Sequence, residues 1–352
     1  MQLAFLGTLF LATSSGILSI YHFFFKVSLF HLQKKNCRSF SHSFHHAFLR
    51  RIELLRPCGR RHRWPGPCWQ EHRWPRGCPG RAAAASPGGK PTYLMVPGAW
   101  HTAPAFDLLR EQLTKRGFES VAVPLLTVGP TDPKNQGVPE DAAAIKAELE
   151  KLVNAGKEVM VLSHSYGGVP ADAAVEGFNA KDRAANGQKG GVIMALHLTS
   201  FAAPVGSSLM DSLGGNPLPW FNITGDVLTP IDPTSVFYAD VEPQLAAKSV
   251  AALEPSSMRA MTDKGSFAPW DQGFEMGFIH TEDDQAIPIA IQKQMAAQFP
   301  AGSFTATLKS SHSPFLSMPE RLGEVLEQAA QFAQDKARPA GPKPLLEAGL
   351  HL

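Results

Sequence analysis

Residues 161–170 read VLSHSYGGVP, an apolar run that ends in Ser163-His164-Ser165-Tyr166-Gly167-Gly168. A central serine with small residues two places before and after it suits a sharp strand-to-helix turn, because strand and helix must approach closely there. A serine hydroxyl is a weak nucleophile until a base takes its proton, so Ser165 needs a histidine, and that histidine needs an acid to orient it. Six histidines follow residue 90. His101, His164, His197 and His280 fall within or beside predicted strands and turns, and His351 lies near the end. His312 alone stands in a polar loop, KSSHSPF, between a predicted strand and the last helix. For the acid, TEDDQAIP offers Glu282, Asp283 and Asp284 directly after a strand. Asp284, with Ile287 and Pro288 behind it to start a helix, is the leading candidate, and Asp283 is the alternative.

A serine attacking a carbonyl also creates an oxyanion, which needs N–H donors in place before reaction. Tyr166, the residue after the serine, should supply one from the positive end of its helix. The second is expected from VPGAW, residues 96–100, where Gly98 lets the backbone come close and Ala99 is the candidate donor.

The elements that must carry these groups follow from short apolar runs alternating with helical stripes, the pattern of parallel strands joined by crossover helices. Strands are expected over 92–96, 119–124, 158–163, 191–200, 274–281 and 303–308. Helices are expected over 104–116, 139–155 and 319–334, the second placing Ile145, Leu149, Leu152 and Val153 on one face. Between 201 and 271 this rhythm breaks into Pro, Gly and short helical pieces such as 241–253. That insertion reads as a helical lid over the carboxyl ends of the strands, where open α/β sheets place their ligands. The fold class is thus α/β, a mostly parallel central sheet flanked by helices with a lid at about 201–271. The folded region spans 91–334, after a linker at 81–90 and before a loose tail at 335–352.

VPGAWHTAPAFDLLREQLTKRGF, VLSHSYGG, FIHTEDDQAIP and SSHSPFLSMPERL together resemble the signature blocks of the α/β-hydrolase superfamily. The likeness is greatest to its small-esterase branch of plant methyl-ester esterases, hydroxynitrile lyases and bacterial pyrethroid-hydrolase-like enzymes. The resemblance implies an α/β-hydrolase fold in which Ser165, Asp284 and His312 form a triad in the chain order of that fold. It implies Ala99 and Tyr166 as the oxyanion hole, and cleavage of a small carboxylic ester through an acyl-enzyme without a cofactor. Departures are Ser163 in place of the usual elbow glycine and Pro97 in place of the usual histidine of the oxyanion loop. Cyanohydrin cleavage in that branch uses a lysine beside the catalytic histidine, and Ser313 follows His312 here, so a C–C lyase is a minor alternative. A non-catalytic small-molecule-binding protein is the rival from another class, since this fold also serves receptors.

The 352 residues are 44% hydrophobic and 18% charged, enough to bury a sizeable core. The net charge of +2 hides two unlike pieces: residues 1–90 hold 14 Lys and Arg against only Glu53 and Glu71, so the other 262 residues carry −10. All four cysteines, Cys37, Cys58, Cys68 and Cys78, lie in the basic piece, which leaves the rest without disulfides or thiolate chemistry. There HRWPGPC at 62–68 returns as HRWPRGC at 72–78, a spacing that fits no zinc finger or ribbon, so no metal site is expected. Nucleic acid is not expected as a partner; a small-molecule ester is. Residues 3–25 form a charge-free run of 23, long enough to cross hydrocarbon as a helix, with Lys26, Lys34, Lys35 and Arg38 behind it. A membrane anchor and a secretion signal with Ala12-Thr13-Ser14 as its cleavage site both stand, and membrane contact is expected only through this run.

Overall fold

The chain divides into two units, Met1–Arg76 and Gly77–Leu352. The computed structural model describes residues 89–337, all in the second unit. The expectations for the apolar run at 3–25, the repeated Cys/His tract and the last residues of the tail lie outside the described residues.

In chain order the strands are β1 (Thr92–Val96), β2 (Ser120–Ala122), β3 (Glu158–Ser165), β4 (Gly191–Ser200), β5 (Phe221–Thr224), β6 (Val227–Pro230), β7 (Ser256–Ser257), β8 (Met276–Thr281) and β9 (Phe304–Leu308). Six of them form one sheet in the order β2-β1-β3-β4-β8-β9, with every pairing parallel. This is the α/β-hydrolase architecture that the four blocks imply. β1 and β4 are buried along their whole length and β3 at all but its first residue. A parallel sheet covered by helices on both faces demands this, and it is why these strands read as unbroken apolar runs. β9, at the sheet edge, alternates instead.

The helix Val138–Asn154 buries the expected stripe of Ile145, Leu149, Leu152 and Val153, and Asp141 with it. Each such aliphatic side chain contributes about 1.5–3 kcal/mol when fully buried. The last helix, Pro319–Ala337, runs three residues past its expected end, and Asp107–Lys115 packs along it. Among the described residues no helix is long and apolar enough to cross a membrane.

The insertion differs from the expected helical lid. It holds short helices at Leu209–Ser212, Pro233–Phe237, Pro243–Ala251 and Arg259–Thr262, and also a three-stranded antiparallel sheet in the order β5-β6-β7. β5 and β6 close on the two-residue loop Gly225-Asp226, where Gly225 takes φ 60°, a conformation that glycine adopts without steric cost.

β1 has β2 on one side and β3 on the other, so the direction of winding reverses at β1, between the step to β2 and the step to β3. At such a switch point the loops at the carboxyl ends diverge and leave a crevice. Residues 97–101 follow β1, Ser165 ends β3, Asp284 follows β8 and His312 follows β9, so one edge of the sheet receives all of the candidate residues.

Candidate active site

The elbow is built by backbone crowding. Ser165 has φ 53°, a left-handed conformation that is uncommon outside glycine, and the register of β3 against β4 shifts at His164/Ser165. A methyl group on Gly167 would sit 2.3 Å from the Pro97 carbonyl oxygen, and one on Gly168 2.0 Å from that of Phe201. Neither position can carry a side chain. Ser163, by contrast, fits where glycine is usual: it is buried and its hydroxyl accepts a hydrogen bond from Ser200 Oγ at 3.3 Å. Pro97 contributes through its carbonyl, against which the elbow packs.

His312 is buried, although its loop is polar in composition. Ser311 ties that loop to the insertion, donating from its N–H to Asp240 Oδ2 at 3.0 Å and from its hydroxyl to Asp240 Oδ1. Burial would push the Asp240 carboxyl up, but hydrogen bonds from Ser311 outweigh it and hold the pKa below the usual range. His312 Nδ1–H donates to Asp284 Oδ2 at 2.8 Å, which leaves Nε2 as the nitrogen that can take a proton. Asp284 is buried while Glu282 and Asp283 are exposed, so of the two candidate acids it is Asp284 that meets the imidazole.

A buried carboxylate must be fully satisfied to stay ionised. Asp284 Oδ2 also accepts from Thr199 Oγ1 at 2.5 Å and Thr281 Oγ1 at 3.0 Å, and Oδ1 accepts from the N–H groups of Ala286 and Ile287 at 2.8 and 2.9 Å. Burial raises its pKa, but His312 and these donors reverse the sign and hold it below the ordinary value. Thr199 bonds from φ 36°, an outlying conformation for a β-branched residue. Sequence reasoning missed Thr199, Thr281 and Gln292, whose amide brackets the same loop through the Thr281 and Ile287 carbonyls. The nearest signal was the position of Thr199 and Thr281 at or near strand ends on the carboxyl edge.

Two histidines set aside as strand residues surround His312. His164 donates from Nε2–H to the His312 carbonyl at 2.9 Å, and the two rings lie 4.5 Å apart. Because His164 immediately precedes Ser165, this contact brings the elbow and the histidine loop together. His101 donates from Nδ1–H to the Ala99 carbonyl at 2.8 Å and accepts from Tyr238 O–H at 2.9 Å. Burial keeps both imidazoles neutral, helped by the positive charge available on His312, and lowers His101 to about 4 against the opposing pull of the Ala99 carbonyl. His197 instead pairs with buried Asp172 at 3.3 Å, and His280 stacks on Phe278 at 4.4 Å.

Ser165, Ala99 and Tyr166 line one pocket. Among the described residues, neither the Ala99 nor the Tyr166 N–H is taken by a protein acceptor, and the Ser165 hydroxyl has no protein partner. The Trp100 N–H is committed to Ser256 Oγ at 2.8 Å, so within that turn it is Ala99 that remains available. Tyr166 is anchored by its phenol, which donates to Asp141 Oδ2 at 2.8 Å. Asp141 also takes the N–H groups of Leu126 and Thr127 and the Thr127 hydroxyl. The other walls of the pocket are apolar, among them Phe201, Leu209, Leu218, Trp220 and Met261. No lining residue carries a charge. Among the described residues no group of three or more His, Cys, Asp or Glu could hold a metal ion.

The model of the alpha/beta hydrolase family matches residues 93–325. The alpha/beta hydrolase nvfD of Aspergillus novofumigatus is 28% identical over 246 residues, covering 68% of this chain and 97% of the relative. The pyrethroid hydrolase of Sphingobium wenxiniae is 26% identical over 268 residues, covering 71% of this chain and 92% of its own. The crystal structure of an Arabidopsis methylesterase superposes with a TM-score of 0.53 at 21% identity, covering 68% of this chain and 99% of that one, a likeness of fold.

Proposed function

The chain belongs to the alpha/beta-hydrolase family, and from that premise we propose that it is a serine esterase acting on small neutral carboxylic esters. Ser165 Oγ attacks the ester carbonyl while His312 Nε2 takes its proton. Asp284 fixes the imidazole tautomer and stabilises the imidazolium as it forms. The oxyanion is received by the N–H groups of Ala99 and Tyr166. His312 then returns the proton to the departing alkoxide, leaving Ser165 acylated. A water deprotonated by His312 releases the carboxylic acid and restores the serine.

The observation that carries this reading is the buried Asp284–His312 hydrogen bond, 2.8 Å long, in a loop held by His164 next to an elbow serine at φ 53°. The uncharged, aromatic walls of the pocket support a substrate without ionic groups, since nothing there would repay the desolvation of a charge. Hydrolysis of short p-nitrophenyl esters by the purified chain, with Ser165→Ala alongside, tests it. Turnover by the parent and none above background in the variant is expected. Equal rates in both would refute the reading, and saturable ligand binding without turnover would favour a binding protein on the same fold.

A further inference from the structure

We infer that Ser256, in the insertion, is a positioning residue that holds the oxyanion loop in its working shape. The inference rests on the serine-esterase reading above. Trp100, the residue after the proposed donor Ala99, has φ 65°. A bulky side chain in the left-handed region costs of order 1–3 kcal/mol and persists only where its surroundings compel it.

Those surroundings come from the insertion. The peptide that joins Ala99 to Trp100 is gripped at both poles. Its N–H donates to Ser256 Oγ at 2.8 Å, and its carbonyl accepts from His101 Nδ1–H at 2.8 Å. His101 is in turn fixed by Tyr238 O–H, which donates to its Nε2 at 2.9 Å. The Trp100 carbonyl accepts from Glu254 N–H at 3.0 Å, and the indole N–H donates to the Leu228 carbonyl at 3.0 Å. Ser256, Glu254, Leu228 and Tyr238 all belong to the insertion, and Ser256 is itself registered by pairing with Leu228 and by a bridge to Val128.

Ser256 does not line the pocket that holds Ser165, so it acts through the loop. With the 99–100 peptide plane clamped and Gly98 packed on the elbow, the preceding peptide has little freedom left. That preceding peptide carries the Ala99 N–H. If Ser256 loses its hydroxyl, the Trp100 N–H is left buried without an acceptor, and the cheapest relief is for the strained turn to rotate. The insertion is therefore part of the catalytic geometry as well as a cover.

The test is Ser256→Ala in the full chain, assayed on p-nitrophenyl butyrate beside the parent, Ser165→Ala and Ser256→Thr. Because the loss concerns an interaction made with the transition state, kcat should fall roughly 10- to 100-fold while KM stays within about 2-fold. Ser256→Thr, which keeps a hydroxyl, should recover most of the loss. Inhibition by a trifluoromethyl ketone, whose serine adduct carries an oxyanion, should weaken in parallel with kcat. Tyr238→Phe, which removes only the hydroxyl on His101, provides a second variant with the same expected pattern should Ser256→Ala not fold. A parent with Ser165-dependent turnover and a folded Ser256→Ala of equal kcat would overturn this inference alone. A parent without Ser165-dependent turnover would overturn the esterase reading and this inference with it.

Discussion

Replacing Gly98 by alanine should disable the site while leaving the protein folded. The added methyl would lie 2.7 Å from Ser165 Cβ, 3.1 Å from His164 Nδ1 and 3.3 Å from Ser165 Oγ. Non-bonded carbons rest about 3.5–4.0 Å apart, so the oxyanion loop and the elbow must separate by roughly 1 Å. Misplacement of that size costs on the order of 100-fold in rate, about 2.7 kcal/mol of transition-state stabilisation. Overpacking should also lower unfolding stability by about 1–3 kcal/mol, which a domain of this size tolerates. The assay is steady-state hydrolysis of a p-nitrophenyl ester together with urea unfolding, for Gly98→Ala, the parent and Gly89→Ala. A methyl group at Gly89 meets nothing within 4 Å, so that variant should match the parent. A folded Gly98→Ala with kcat within about 3-fold of the parent would refute the claim that the loop must sit against the serine at this distance.

Three further outcomes follow from the same geometry. The pKa of Asp284 is depressed in the folded state, so its stabilisation is complete above the ordinary carboxylate range and is lost as pH falls through the folded value. The stability gap between parent and Asp284→Asn in urea should therefore shrink below about pH 4, and a gap that is the same at pH 7 and pH 3 would contradict this. His101 sits at about 4 when folded, against 6.5 in the unfolded chain. The unfolded state thus binds the extra proton between those values, stability rises with pH across that window by at most roughly 3 kcal/mol, and His101→Asn should flatten the rise in urea titrations. Thr199→Val keeps the shape but removes one donor from the Asp284 carboxylate; a hydrogen bond to a charged group is worth about 1.5–3 kcal/mol, so kcat should drop at least several-fold. Unchanged kcat in a folded Thr199→Val would show that the remaining partners suffice.

The main sheet was legible because a parallel sheet buried on both faces writes itself as uninterrupted apolar runs. The 92–96 and 191–200 strands match the observed β1 and β4 in full, and β3 runs two residues further, to the serine itself. The insertion was legible as an interruption but not in its structure. Gly225-Asp226 between two short alternating runs is a hairpin signal that was available, whereas β7 is two serines long and has no local pattern to find. Choosing between Asp283 and Asp284 is a matter of burial after folding, since both are acidic, adjacent and in one loop. The roles of His101 and His164 around His312 are likewise tertiary: their places in β3 and after β1 gave no sign that sheet order would stack them. Ser163, a departure from the usual elbow glycine, finds its hydrogen-bond partner in Ser200, 37 residues on, which no local pattern reveals.

The central claim is that Ser165 is a nucleophile made reactive by His312. Labelling the full chain with a fluorophosphonate and mapping the modified peptide by mass spectrometry tests it most directly. One adduct per chain on Ser165 is expected, absent in Ser165→Ala and formed far more slowly in a folded His312→Ala. Labelling at another residue, or at Ser165 with the same rate when His312 is replaced, would contradict the account.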